Sequence, residues 1–185
     1  MNKYYLNLVE KSLSIAKEVP NLTILGSDIL RRKCVFDNYQ TSLLVCGNLK
    51  IALAKIRDLT GVGRGLAANQ IGSPDRCFVT FVDGEFQYFI NPKILSTSVN
   101  TNWYKENCLS CGPVACDVER ASEVTISFID KKGLENEKEF DGFWARLLQH
   151  EIDHLNGVVN IDHVGKEDVF LINFDPLKEQ LRDSR

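Results

Sequence analysis

The sequence predicts an α+β fold. Apolar residues recur at helical spacing in three separated segments, short stretches of alternating apolar and polar residues lie between them, and turn dipeptides join those stretches closely enough for antiparallel pairing. Residues 3–18 set Leu6, Val9, Leu13 and Ala16 on one helical face before Pro20. A longer, half-buried helix is expected over 41–59, where Leu44, Leu49, Ala52, Leu53 and Ile56 keep the same period. It ends at the break that runs from Thr60 to Gly65. Residues 77–82 and 86–91 read as two strands joined at Asp83-Gly84, a pair that accepts the positive φ values of a two-residue hairpin. Val124, Ile126 and Phe128 alternate with polar neighbours over 123–130, Lys132-Gly133 makes the next turn, and 134–140 is the expected partner strand. Helical spacing returns over 142–156 and stops at Gly157. The tail, 166–185, is undetermined by its pattern.

With 185 residues, a single domain spanning 1–185 is expected, and a chain of this size buries roughly 70% of its unfolded surface without disulfides. The hydrophobic share of 44% and charged share of 25% are those of a globular protein, which excludes disorder and a collagen or coiled-coil theme. No stretch reaches the roughly 18 apolar residues of a membrane span, and residues 1–20 lack the apolar core of a signal peptide. A net charge of -3 leaves no basic footprint for nucleic acid. The expectation is a cytoplasmic protein whose six cysteines are reduced. Cys34, Cys46 and Cys77 sit in apolar neighbourhoods and read as small core residues. Cys108, Cys111 and Cys116 crowd one loop.

The sharpest motif is His150-Glu151-Ile152-Asp153-His154, set in the helix expected over 142–156. Histidines four apart lie about 40° apart around a helix axis, so both rings can face one metal ion. Glu151, next to the first histidine, is placed as a general base and then as proton donor to a leaving amine. A catalytic site of this kind needs a third protein ligand and an open fourth position. His163 and a thiolate from Glu106-Asn107-Cys108-Leu109-Ser110 are the candidates, and an exposed or capping role suits His163 better. Cys108-Leu109-Ser110-Cys111 is also a C-x-x-C, so a redox pair or a closed structural zinc site of Cys108, Cys111, His150 and His154 is the competing reading. The redox reading wants the motif to open a helix in a βαβ unit, and Gly112-Pro113 follows instead. The closed site leaves Glu151 without a purpose, and its cysteine-to-histidine gap is far longer than a zinc finger's loop.

Three motifs together resemble the peptide deformylase family. They are Gly63-Arg64-Gly65-Leu66-Ala67-Ala68-Asn69-Gln70, Glu106-Asn107-Cys108-Leu109-Ser110 and His150-Glu151-Ile152-Asp153-His154, in the family's order. Linking stretches such as Phe89-Ile90-Asn91-Pro92 and Val118-Glu119-Arg120-Ala121 extend the likeness over about residues 24–165. The resemblance implies antiparallel sheets packed around a central metal-binding helix. It further implies one divalent metal ion held by Cys108, His150 and His154: ferrous iron natively in many members, with zinc, nickel or cobalt as substitutes. Glu151 would be the proton carrier, and the Gln70 amide and Leu109 backbone N–H would face the oxyanion. The implied partner is an N-formylated peptide, ordinarily formyl-methionine at the start of a nascent chain, with transient ribosome association. An inactive relative that only binds is the alternative.

Where the family usually has glycine this chain has Asn107, which tolerates the left-handed backbone region better than most residues, so the turn is expected to survive. Cys111 replaces a usual apolar residue, and Ala115 stands near a usual arginine. Gly65 is expected to let the loop backbone approach the substrate. Phe143, Arg146 and Leu147 share the helix face of His150, and with Arg64 they would border the substrate side chain. Two guanidinium groups there either pair with carboxylates of the protein or select an acidic or polar substrate side chain. Asp153 is expected to be structural, paired with a residue such as Arg120.

Overall fold

The computed structural model describes residues 3–171; the side chains of Leu6 and Val9 and the tail 172–185 lie outside the described residues. Three helices, α1 (Lys3–Glu18), α2 (Tyr39–Thr60) and α3 (Gly142–Leu155), accompany eight strands: β1 (Gly65–Ala67), β2 (Cys77–Val82), β3 (Glu85–Thr97), β4 (Thr101–Asn107), β5 (Val114–Ala121), β6 (Glu123–Ile129), β7 (Glu135–Asp141) and β8 (Val169–Leu171). The strands form a five-stranded sheet, ordered β1-β2-β3-β6-β7, and a three-stranded sheet, ordered β4-β5-β8; every pairing is antiparallel.

Local sequence explains most boundaries. Asn38 caps α2 by accepting from the Thr41 N–H, and Gly61 ends it in the left-handed region at φ 72°. Asp83 (φ 51°) and Gly84 (φ 83°) make the β2–β3 hairpin. Strand β3 runs on past the expected 91 to Thr97. Pro92 lacks an N–H and falls where the β3–β6 register shifts, between Ile90 and Lys93, so the strand continues through an irregularity instead of ending.

The core lies between α2, α3 and the larger sheet. Phe78 stacks on Phe89 at 4.7 Å between ring centroids, and Phe128 closes on Phe89 at 4.6 Å. Cys34, Cys46 and Cys77 are buried there, and all six cysteines are free thiols. Helix α3 is buried on two sides. Ala145, Leu148, Ile152 and Leu155 face the core, while His150 and His154 lie on the opposite side with Cys108, at the end of the smaller sheet. The helix contacts β1 and β7, the two edge strands of the larger sheet, and β5 of the smaller one. Among the described residues no helix is long and apolar enough to cross a membrane.

Candidate metal centre

Strand β4 ends at Asn107, and Cys108 begins a single 3-10 turn, Leu109–Cys111, that carries the chain into β5. This turn places the Cys108 sulfur beside α3. The ligand atoms of Cys108, His150 and His154 all lie within 4.8 Å of one another, and Cys108 Sγ is 3.2 Å from His154 Nε2. The two imidazole centroids are 5.0 Å apart with planes at 80°. Cys108 and His154 are fully buried, and His150 is the partly exposed member.

Glu106 orients the first histidine. Its Oε2 lies 2.9 Å from His150 Nδ1; with the carboxylate ionised, Nδ1 donates and Nε2 is left as the ligand atom. The same carboxylate accepts from Arg120 Nε at 2.6 Å, Arg120 Nη2 at 2.9 Å and Arg146 Nη1 at 2.7 Å. Burial alone would raise the Glu106 pKa, but the hydrogen bonds from His150 and Arg120 outweigh it and hold the carboxyl well below the usual range. Arg120 also donates to Asp153 at 2.8 Å, the partner expected for that aspartate, and His163 Nε2 lies 2.7 Å from the same oxygen. His163 thus supports Asp153 and is not part of the ligand cluster.

Glu151 is fully buried and its Oε2 has no hydrogen-bond partner. Burial pushes its pKa up to about 7, against the pull of His150 and His154. Gly65 is needed because a Cβ there would sit 2.6 Å from Glu151 Cδ. The close neighbour of Gly65 is therefore the buried Glu151 carboxyl. Gln70 is fixed from both ends: its Oε1 accepts from the Ala67 N–H at 2.8 Å, and its Nε2 donates to Ser110 Oγ at 3.0 Å and lies 3.8 Å from Cys108 Sγ. Leu109 is half-buried at the first position of the 3-10 turn.

Cys111 stands outside the ligand cluster. Its thiol donates to Asn160 Oδ1 at 3.3 Å, which disfavours the closed four-ligand site. The adjacent Cys111 thiol and the nearby His154, opposed by burial, hold Cys108 well below the usual thiol range; the neighbouring Cys108 and burial push Cys111 up. Three donors of sulfur and nitrogen type, converging beside a buried carboxylate oxygen with no partner, fit a divalent transition metal with one position open.

Asn107 does not draw on its tolerance of the left-handed region, since it is not among the residues of positive φ. Its side-chain amide donates to the carbonyls of Gly112 at 3.0 Å and Val114 at 2.9 Å and so braces the loop. Arg146 is the other departure. Its guanidinium is taken up by Glu106, the Val118 carbonyl at 3.0 Å and the Asn102 carbonyl at 2.8 Å, and it lies 5.5 Å from the Tyr104 ring. This is pairing within the protein, the first of the two outcomes foreseen for it. Arg64 lies 5.8 Å from the ring of the exposed Phe143 and has no ion-pair partner among the described residues. Glu106 is the functional residue that motif spacing does not mark; its place in the cysteine motif was its only signal.

Residues 22–169 match the family model described as polypeptide deformylase. A peptide deformylase of Rhizobium meliloti (strain 1021) is 44% identical over 109 residues, covering 56% of this chain and 63% of that protein. One of Pseudothermotoga lettingae is 38% identical over 159 residues, 83% of this chain and 88% of that protein. Over the Rhizobium and Agrobacterium relatives the chain spans just under two thirds of their length. Among solved structures, the peptide deformylase of Synechococcus elongatus in complex with actinonin superposes with a TM-score of 0.69 at 33% identity, covering 81% of each chain.

Proposed function

Because this chain belongs to the polypeptide deformylase family, we propose that it is a metal-dependent hydrolase that removes the N-formyl group from peptides, formyl-methionyl nascent chains above all. The observation that carries the reading is the Cys108-His150-His154 cluster with the unpartnered oxygen of Glu151 beside it. Cys108, His150 and His154 would hold the metal, with ferrous iron as the native ion. When bound, the metal supplies a Lewis acid for water and for the formyl carbonyl. Glu151 takes the proton of the attacking water on its free oxygen and returns it to the leaving amine. A carboxyl whose pKa burial sets at about 7 is suited to both tasks near neutral pH. Gln70 Nε2 and the Leu109 N–H donate to the oxyanion. Gln70 is held for this by Ala67 and Ser110, so no reorganisation is needed at the moment of reaction.

Gly65, Arg64, Phe143 and Arg146 border the approach to Glu151. Arg146 is neutralised by Glu106, so any preference for an acidic substrate side chain rests on Arg64. A cytoplasmic location and transient association with ribosomes follow from a nascent-chain substrate.

The test is hydrolysis of formyl-methionyl, formyl-aspartyl and formyl-glutamyl peptides by protein loaded anaerobically with iron, or with nickel. Glu151→Gln keeps the shape and removes the proton carrier. It is expected to retain stoichiometric metal and lose about 10²–10⁴ in kcat. Activity within a few fold of the parent would overturn the base assignment, and absence of formyl hydrolysis by the parent on every substrate would overturn the deformylase reading.

A further inference from the structure

Three thiols lie buried behind the site, Cys108, Cys111 and Cys116, and the proposed reaction uses only the first. Cys108 precedes the 3-10 turn as its cap and Cys111 is its third residue. The Cys111 N–H donates to the Cys108 carbonyl at 3.0 Å, closing the two residues into one tight turn. Such a turn brings Cα atoms i and i+3 within about 7 Å, which overlaps the span a disulfide requires. The side chains agree with the backbone, because those of Cys108 and Cys111 are buried together against Val159. Asn160 holds this arrangement by accepting from Cys111 and donating to Cys116 Sγ at 3.5 Å. Cys46 and Cys77 also neighbour each other, but both are fully buried in the main core.

We propose that Cys108 and Cys111 form a thiol modification site, in which a peroxide joins them in a disulfide that removes the sulfur ligand of the metal centre. The inference rests on the reading of Cys108 as a metal ligand. Access follows from the proposed reaction, since a peroxide molecule is little larger than the water that must reach Glu151. The Cys108 sulfur attacks a peroxide oxygen, the O–O bond breaks, and a sulfenic acid forms as hydroxide leaves. The Cys111 sulfur then attacks the Cys108 sulfur, the S–S bond forms, the S–O bond breaks, and the Cys111 proton leaves with the oxygen as water. One thiolate and one thiol lose two electrons and one proton, and hydrogen peroxide is reduced to one water and one hydroxide, which solvent protonates. The disulfide cannot serve as the thiolate ligand, so the metal is released. Cys111 thereby protects Cys108 from irreversible oxidation, because the resolving thiol reaches the sulfenic acid first.

The experiment treats the zinc-loaded full chain with hydrogen peroxide and follows released zinc, the thiol count in denaturant and the disulfide map. The parent should release its zinc as its six thiols fall to four, with Cys108 joined to Cys111, and dithiothreitol with fresh zinc should restore the loaded protein. Cys111→Ala should bind zinc like the parent. The same oxidant should drive its Cys108 to sulfinic or sulfonic acid, and the loss of zinc should not be reversible. Reversible oxidation in Cys111→Ala, a map that joins Cys108 to Cys116 or Cys46 to Cys77, or irreversible oxidation of Cys108 in the parent overturns the proposal. None of these readouts depends on a substrate, so they are independent of whether the protein cleaves formyl peptides.

Discussion

Glu106 gathers more of the centre than any ligand does. One buried carboxylate meets two guanidinium groups and an imidazole, one partner from β5 and two from α3. Glu106→Gln would keep the volume but turn an amide NH2 toward groups that all donate. Arg120, whose side chain is 4% exposed, would keep only Asp153 as a charged partner. Breaking a buried pair on one side costs about 3–5 kcal/mol, and urea unfolding of metal-free protein should show a loss of that order. Metal affinity, measured by competition with a chelator, should fall by about 10–100-fold as His150 loses its orienting partner. An unchanged affinity would mean that Glu106 serves stability alone. The ligands were legible from spacing and motif order because each sits in a local pattern. Glu106 was not, since its role depends on meeting residues 120, 146 and 150, and no local pattern encodes those distances.

At the scale of elements, α3 both carries His150, Glu151 and His154 and wedges between the two sheets. Asp153, on its flank, is tied to Arg120 of β5 and to His163 after the helix. Asp153→Asn should destabilise the protein by about 2–3 kcal/mol, because the charge that complements Arg120 is removed while its neighbour stays buried. Turnover per metal-loaded molecule should change less than about threefold, since the carboxylate does not face the ligands. A larger loss of turnover than of stability would move Asp153 into the proton pathway. The elements differ in how plainly the sequence announces them. Helix α3 and the β2–β3 hairpin follow from period and turn chemistry. Strand β4 does not: of its seven residues only Glu106 is buried, so it has no alternation to read, and pairing with β5 makes it a strand. Strands β1 and β8 have three residues each, too few for any period.

For the whole molecule, a metal held by residues brought together only by folding should bind the folded chain more tightly than the unfolded one, so its removal should cost stability by mass action. Zinc-loaded protein should melt higher than chelator-treated protein, and the difference should grow with the logarithm of free zinc. A melting temperature indifferent to zinc would show that the cluster does not hold it in the folded state. The layout of two sheets about one helix was expected from the resemblance, and the α+β class from the pattern alone. The second sheet as an assembled unit was not, because its strands gain their identity only by pairing across sequence gaps, as Val114–Cys116 of β5 does with Val169–Leu171 of β8.

The sulfur ligand ends a strand of the smaller sheet, and both nitrogen ligands ride on the helix wedged against the larger one. No contiguous stretch of the chain contains all three donors. Closing the chain between residues 108 and 150 is an entropic cost that must be met before the metal finds a complete pocket. Capture of a metal by these residues is therefore expected late in folding, after both sheets have docked. The centre is in this sense a checkpoint, since occupancy certifies that the distant halves of the polypeptide have found each other.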